Sequence, residues 1–147
     1  MAPRFIELAA AGGPASPYSE AVISDDVIYV AGQLAQDDPE WHGRSGTIEE
    51  ETKAAMERLG RILAAAGAGY SDIVRVGVFM TDLSESARMN AVYLGYFPPG
   101  KRPARTCVGV ASLISGARIE IDCIARVGSR VSRQREVEAD RRSRPRR

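Results

Sequence analysis

The sequence predicts an α+β domain built on a single β-sheet with two helices on one face. Two stretches, 47–66 and 82–97, place apolar residues at three- and four-residue steps between recognisable helix start and stop signals. The segments before, between and after them are rich in valine and isoleucine and read as strands, so the order is strand, hairpin, helix, strand, helix, two strands. With 147 residues, 44% apolar and 27% charged, the chain has the composition of one globular domain. Two helices of similar size interleaved with strands imply one sheet covered on one side. The other side would expose apolar side chains from several strands, so a further copy of the chain is expected to close it.

Phe5–Leu8 is a short strand candidate, and 10–17, with two glycines and two prolines, is a loop. Ala21–Ser24, Asp25-Asp26 and Val27–Ala31 read as strand, tight turn and strand, ending at Gly32-Gln33. Leu34–Gly46 is polar, holds the only Trp and the only His, and is expected to be an exposed loop, with Trp41 over a pocket mouth or at a subunit contact. Thr47-Ile48-Glu49-Glu50 has the form of a capping box. The helix it starts carries Thr52, Ala55, Met56, Leu59, Ile62, Leu63 and Ala66 on one stripe and stops at Gly67 and Gly69.

Ile73–Met80 is the most strand-like run in the chain. Asp82-Leu83-Ser84-Glu85 starts the second helix and Pro98-Pro99-Gly100 stops it, with Leu83, Ala87, Asn90, Leu94 and Phe97 expected on its packed face. An amide on such a seam must either bond nearby backbone or face a site, because burying it unpaired is unfavourable by about 1–3 kcal/mol. Arg105–Val110 alternates, with Arg105, Cys107 and Gly109 on one face. In the last strand, Arg118–Ala125, Ile119, Ile121 and Cys123 oppose Glu120, Asp122 and Ile124, and Ser115-Gly116 supplies the turn before it.

Charge is unevenly distributed. Residues 127–147 hold eight arginines against Glu136, Glu138 and Asp140, a net of +5, which leaves residues 1–126 at −4. Two parts follow: a body over 1–127 and a basic tail over 128–147 with too few apolar residues to order itself. The N-terminus lacks the apolar core of a signal peptide and no run is long enough to span a membrane, which predicts a cytoplasmic protein with no membrane partner. Cys107 and Cys123, the only cysteines, are expected on different strand faces, against a disulfide. One histidine and no cysteine pair supply no ligand set for a metal.

A charged residue on a strand ordinarily faces solvent. Arg105, however, follows Pro103-Ala104, which fixes the backbone before it and aims the side chain. Pro103-Ala104-Arg105, then Val108, Ala111, Leu113 and Ile119-Glu120-Ile121 at this spacing resemble the signature of the Rid family of reactive intermediate deaminases, also called the YjgF family. Pro17-Tyr18-Ser19 and Gly32-Gln33 fall where that family has its Gly-Pro-Tyr-Ser and Ser-Gly-Gln segments, with departures at Ser16 and Ala31.

The resemblance spans residues 4–127. It implies a mixed-sheet, chorismate-mutase-like fold, with the last strand inserted between earlier ones, and a homotrimer with three clefts between subunits. It implies a deaminase without a cofactor that hydrolyses enamines and imines such as 2-aminoacrylate to 2-oxo acids and ammonia. Arg105 would anchor the substrate carboxylate through its planar fork and Glu120 would act on water, making these two the catalytic pair. Tyr18, Gly32, Asn90 and Cys107 would complete the substrate site, the last through its backbone. Arg105 and Glu120 are expected from one subunit and Asn90 or Tyr18 from its neighbour. Two other functions fit parts of the sequence: an RNA-binding protein, ribonuclease or translation inhibitor, with nucleic acid held by the basic tail, and a trimer that binds carboxylate metabolites without turnover.

Overall fold

A computed structural model of the chain describes residues 2–8, 16–128, 134 and 137–142. Six strands form one sheet: β1 (Arg4–Ile6), β2 (Ala21–Ser24), β3 (Val27–Gln33), β4 (Ile73–Met80), β5 (Ala104–Gly109) and β6 (Ile119–Arg126). Their spatial order is β1-β2-β3-β6-β4-β5. The β4–β5 pair is parallel and the others are antiparallel, so the sheet is mixed. The last strand thus lies between β3 and β4 and does not form a hairpin with β5. Within residues 16–128 two helices are described, α1 (Ile48–Ala65) and α2 (Ser86–Tyr93).

Local chemistry explains most boundaries. Thr47 Oγ1 accepts from the Glu50 amide while the Glu50 carboxylate accepts from the Thr47 amide, a reciprocal cap that starts α1. Every residue of the expected α1 stripe is buried. It packs on the inward row of the sheet, Val76, Val78, Ile119, Ile121, Cys123 and Ala125, of which each valine and isoleucine contributes about 1.5–3 kcal/mol on burial. Gly67, at φ +80°, ends the helix in the left-handed region.

Three expectations are corrected. The packed face of α2 is Met89, Tyr93 and Phe97, while Leu83, Ala87 and Leu94 are exposed. Tight three-residue turns at Leu83–Glu85 and Leu94–Tyr96 flank the helix, and their shorter period rotates a face assigned at 3.6 residues per turn. Leu34–Gly46 is not an exposed loop: Leu34, Ala35 and Trp41 are buried, and Trp41 Nε1 donates to the Arg44 carbonyl at 2.5 Å. Cys107 and Cys123 face the same side, because their partners on β4, Val78 and Val76, share a face. The intervening strand and a two-residue offset still hold them about 12 Å apart, beyond disulfide reach. In the tail, Gln134 and residues 137–142 are helical and exposed, with Arg142 Nη2 3.6 Å from Glu138 Oε1 one turn away. An i,i+4 Glu–Arg pair of this kind favours helix in an exposed segment. The rest of the basic tail lies outside the described residues.

The sheet's second face is left uncovered. Tyr29, Phe79, Val108 and Ile124 share it with Arg75, Thr106 and Asp122 around a cavity of about 430 Å³. Among the described residues no helix is long and apolar enough to cross a membrane.

Candidate active site

The expected site residues fall into two groups. The first lies at the β5 edge. Arg105 pairs with Val76 across the parallel β4–β5 ladder and therefore points to the helix side of the sheet. There its Nη1 donates to Asn90 Oδ1 at 2.7 Å, and its guanidinium carbon lies 4.7 Å from the centre of the Tyr93 ring. Asn90 and Tyr93 are one turn apart on α2, so a single helix face both bonds and stacks the guanidinium. One nitrogen is engaged and the plane is fixed, leaving other donors of the fork for a carboxylate. Burial holds the Tyr93 hydroxyl above its ordinary pKa, with Arg105 opposing the shift. Cys107, two residues on, turns its half-buried thiol inward to 3.9 Å from Met80 Sδ, so its backbone rather than its sulfur faces the sheet edge. β5 is the outermost strand, and that edge carries no further strand among the described residues.

The second group surrounds Glu120. Tyr18, Ala31, Gly32, Leu34, Asp37, Ile114 and Glu120 line a cavity of about 220 Å³. Gly32 lies against the Glu120 carboxylate so closely that a Cβ there would overlap it, which is the reason for glycine at this end of β3. Ser16, in the position where the family has glycine, donates its hydroxyl to the Tyr18 carbonyl at 3.1 Å and so steadies the turn that presents Tyr18. Ile114 is brought to the cavity by a turn in which Ser115 (φ 58°) and Gly116 (φ 66°) are left-handed. Burial, then the neighbouring charges of Asp37 and Asp122, raise the Glu120 carboxyl above its usual pKa. Asp37 is raised too, by burial first, while Arg58 opposes the shift.

A buried network supports this second group. Arg58, 4% exposed on α1, donates from Nε to Gln33 Oε1 at 2.9 Å and from Nη1 to the Asp37 carbonyl at 3.0 Å. Gln33 Nε2 donates in turn to Glu20 Oε2 at 2.9 Å, which lies 4.0 Å from Arg58 Nη2. The first residues of the loop are thus tied to α1 from beneath.

The structure separates the two groups. Glu120 pairs with Phe79 of β4 and lies on the uncovered face, whereas Arg105 pairs with Val76 and lies under α2. The pairing expected at the subunit contact is therefore corrected: Asn90 belongs with Arg105 in its own chain, and Glu120 with Tyr18 and Gly32. Arg105 and Glu120 point away from each other because their strands flank β4 at positions of opposite parity. Sequence reasoning missed Tyr93, although its three-residue spacing from Asn90 marks the shared helix face. It also missed Asp37, whose Asp-Asp-Pro context reads as an ordinary turn. Among the described residues no group of three His, Cys, Asp or Glu is placed to hold a metal ion.

A family model described as Endoribonuclease L-PSP matches residues 9–127. The human 2-iminobutanoate/2-iminopropanoate deaminase is 38% identical over 122 residues, which cover 83% of this chain and 88% of that protein. A RutC family protein of Synechocystis is 36% identical over 126 residues, 85% of this chain and 97% of its own length. Among solved structures, a Thermotoga maritima protein superposes with a TM-score of 0.77 at 40% identity, covering 86% of this chain and 98% of that one. A Rid family protein of Yersinia pestis does so with 0.76 at 31%, covering 86% and 100%.

Proposed function

Since the chain belongs to the Endoribonuclease L-PSP family, also known as the Rid or YjgF family, we propose that it is a deaminase hydrolysing 2-imino acids and their enamine tautomers, 2-aminoacrylate among them, to 2-oxo acids and ammonia. The observation that carries this reading is the pair of half-sites: a guanidinium oriented by Asn90 and Tyr93, and a carboxylate of raised pKa in a partly desolvated cavity. Relatives named 2-iminobutanoate/2-iminopropanoate deaminase support the reaction class.

In this mechanism the two half-sites meet between chains of a homotrimer, whose subunits also cover the apolar sheet face. Arg105 of one chain takes the substrate carboxylate through its fork, with the Cys107 backbone beside it. Glu120 of the next chain, with Tyr18 and Gly32, faces the imine carbon. Glu120 accepts a proton from water as the water oxygen bonds to that carbon, giving a tetrahedral carbinolamine. The same proton passes to nitrogen, and the C–N bond then breaks with its electron pair leaving on ammonia while the carbinolamine hydroxyl gives its own proton, through Glu120, to that nitrogen, so that the carbonyl of the 2-oxo acid forms and Glu120 is again ionised. An enamine is first protonated at its terminal carbon. Water and substrate balance the reaction, so no cofactor is called for.

Residues 1–127 form the catalytic unit in this reading, acting in the cytoplasm, and 128–147 are an appended basic tail. The direct test is release of ammonia and 2-oxo acid from enzymatically generated 2-aminoacrylate, with the spontaneous rate subtracted. Release no faster than the spontaneous rate would refute the activity. A second reading rests on the arginines at 141, 142, 144, 146 and 147: RNA held by the tail, with affinity falling steeply as salt rises. Salt-insensitive binding, or none, removes it.

A further inference from the structure

We propose that Asp37 sets the charge class of the substrate, so that the cleft admits 2-imino acids with neutral side chains and excludes those whose side chain ends in a carboxylate. This rests on the reading of the cleft as a 2-imino acid site. With the substrate's own carboxylate on Arg105 and its imine carbon at Glu120, the remaining substituent extends into the cavity that Glu120 shares with Tyr18, Leu34, Ile114 and Asp37. Hydrolysis uses Glu120, and Asp37 touches none of the reacting atoms in it.

The walls of that cavity are suited to a short aliphatic chain. Leu34 is buried and Ile114 is 73% exposed in the absence of anything packed on it, a large apolar surface for one side chain. The charge opposite is negative, and Arg58 and the Leu34 amide offset it only in part, burial still holding the Asp37 carboxyl above its usual pKa. Arg58 donates to the Asp37 backbone carbonyl and to Gln33 from beneath, while its Nη2, 4.0 Å from Glu20 Oε2, has no hydrogen-bond partner among the described residues. Being almost wholly buried, it cannot swing round to receive a second substrate carboxylate. No cation is among the residues that line the cavity. A side chain ending in a carboxylate would therefore bring a third negative charge beside Asp37 and Glu120 in a space poorly screened by water. A methyl group in the same place would contact Leu34 and Ile114.

The test compares 2-oxopentanoate and 2-oxoglutarate, product-like acids with the same carbon chain that differ only in a terminal methyl or carboxylate. Calorimetric titration of the full-length protein is expected to show the neutral acid binding at least about tenfold tighter, a difference of about 1.4 kcal/mol. Asp37→Asn keeps the shape and the backbone bond to Arg58, and should shrink that preference by about tenfold; Asp37→Glu, which keeps the charge, should retain it. A preference unchanged in Asp37→Asn overturns the proposal, as does a wild-type protein that binds both acids equally. Because the readout is binding, the two claims separate. A protein that discriminates without releasing ammonia keeps the charge filter and loses the deaminase assignment, and one that deaminates neutral and dicarboxylic imines equally well does the opposite.

Discussion

An Arg105→Ala chain and a Glu120→Gln chain, each close to inactive alone, are expected to recover about one quarter of wild-type turnover when unfolded together in equal amounts and reassembled. The figure follows from the fold. Arg105 is level with Val76 and Glu120 with Phe79, on strands flanking β4. Strand geometry puts their backbones roughly 14 Å apart, with side chains on opposite faces of the sheet. One small substrate cannot touch both within a single chain, so the proposed mechanism requires each complete cleft to draw Arg105 from one subunit and Glu120 from the next. In a random mixture half of the chains keep Arg105, and independently half of their neighbours keep Glu120, so about one cleft in four is complete whatever the number of subunits in the ring. The internal control is Arg105→Ala mixed with Asn90→Ala. Asn90 bonds Arg105 within its own chain at 2.7 Å, so every chain in that mixture carries a damaged half-site and no recovery is expected. Turnover is read as ammonia release, and native mass spectrometry reports mixed assemblies. Confirmed mixing with turnover no higher than either parent would refute the argument from opposite faces, and so would equal rescue by the Arg105 and Asn90 pair.

Four further outcomes are expected. Arg105→Lys keeps the charge but not the planar fork or the stacking on Tyr93, and should lose about 2–3 kcal/mol of transition-state stabilisation in kcat/KM; near-wild-type kcat/KM would remove the bidentate role. Gly32→Ala drives a Cβ into the Glu120 carboxylate, and a displacement on the order of 1 Å should lower kcat about a hundredfold. The melting temperature should change little in that variant, because the far end of a side chain is what moves; a large fall in Tm with normal kcat in the surviving fold would contradict this. Glu120 must be ionised to accept a proton, so kcat/KM should fall as pH drops through its raised pKa. Asp37→Asn removes one of the charges that raise it and should shift this acid limb to lower pH, whereas a limb that stays or rises contradicts the assignment. Deleting 128–147 should leave turnover and assembly within about a few-fold, since the basic tail lies outside the family match, which ends at residue 127; loss of the oligomer on truncation would make the tail structural.

Much of this protein is written in short-range chemistry. The reciprocal Thr47–Glu50 cap, the α1 stripe, the hairpin at Asp25-Asp26 and the Ile73–Met80 strand are each determined by residues within a few positions of one another, and the sequence by itself specifies them. The alternation that pairs Arg105 with Cys107, and sets Glu120 apart from Ile119 and Ile121, is equally local, because a strand's side chains have a period of two. Which side of the sheet each set faces is not local. It depends on β5 pairing in parallel with β4 and on β6 entering between β3 and β4, and these long-range registers put Arg105 under α2 and Glu120 on the uncovered face. The packed face of α2 escaped a periodic reading because tight turns at both its ends change the period. Asp37 escaped it because its burial arises only when Arg58, on a helix some twenty residues later, ties that end of the loop down from beneath, and Trp41 because its ring packs against Gly46 and under Arg44. The sequence determined the elements and the chemical groups; the tertiary structure alone decided which groups share a surface, since that is set by hydrogen bonds and packing between residues far apart in the chain.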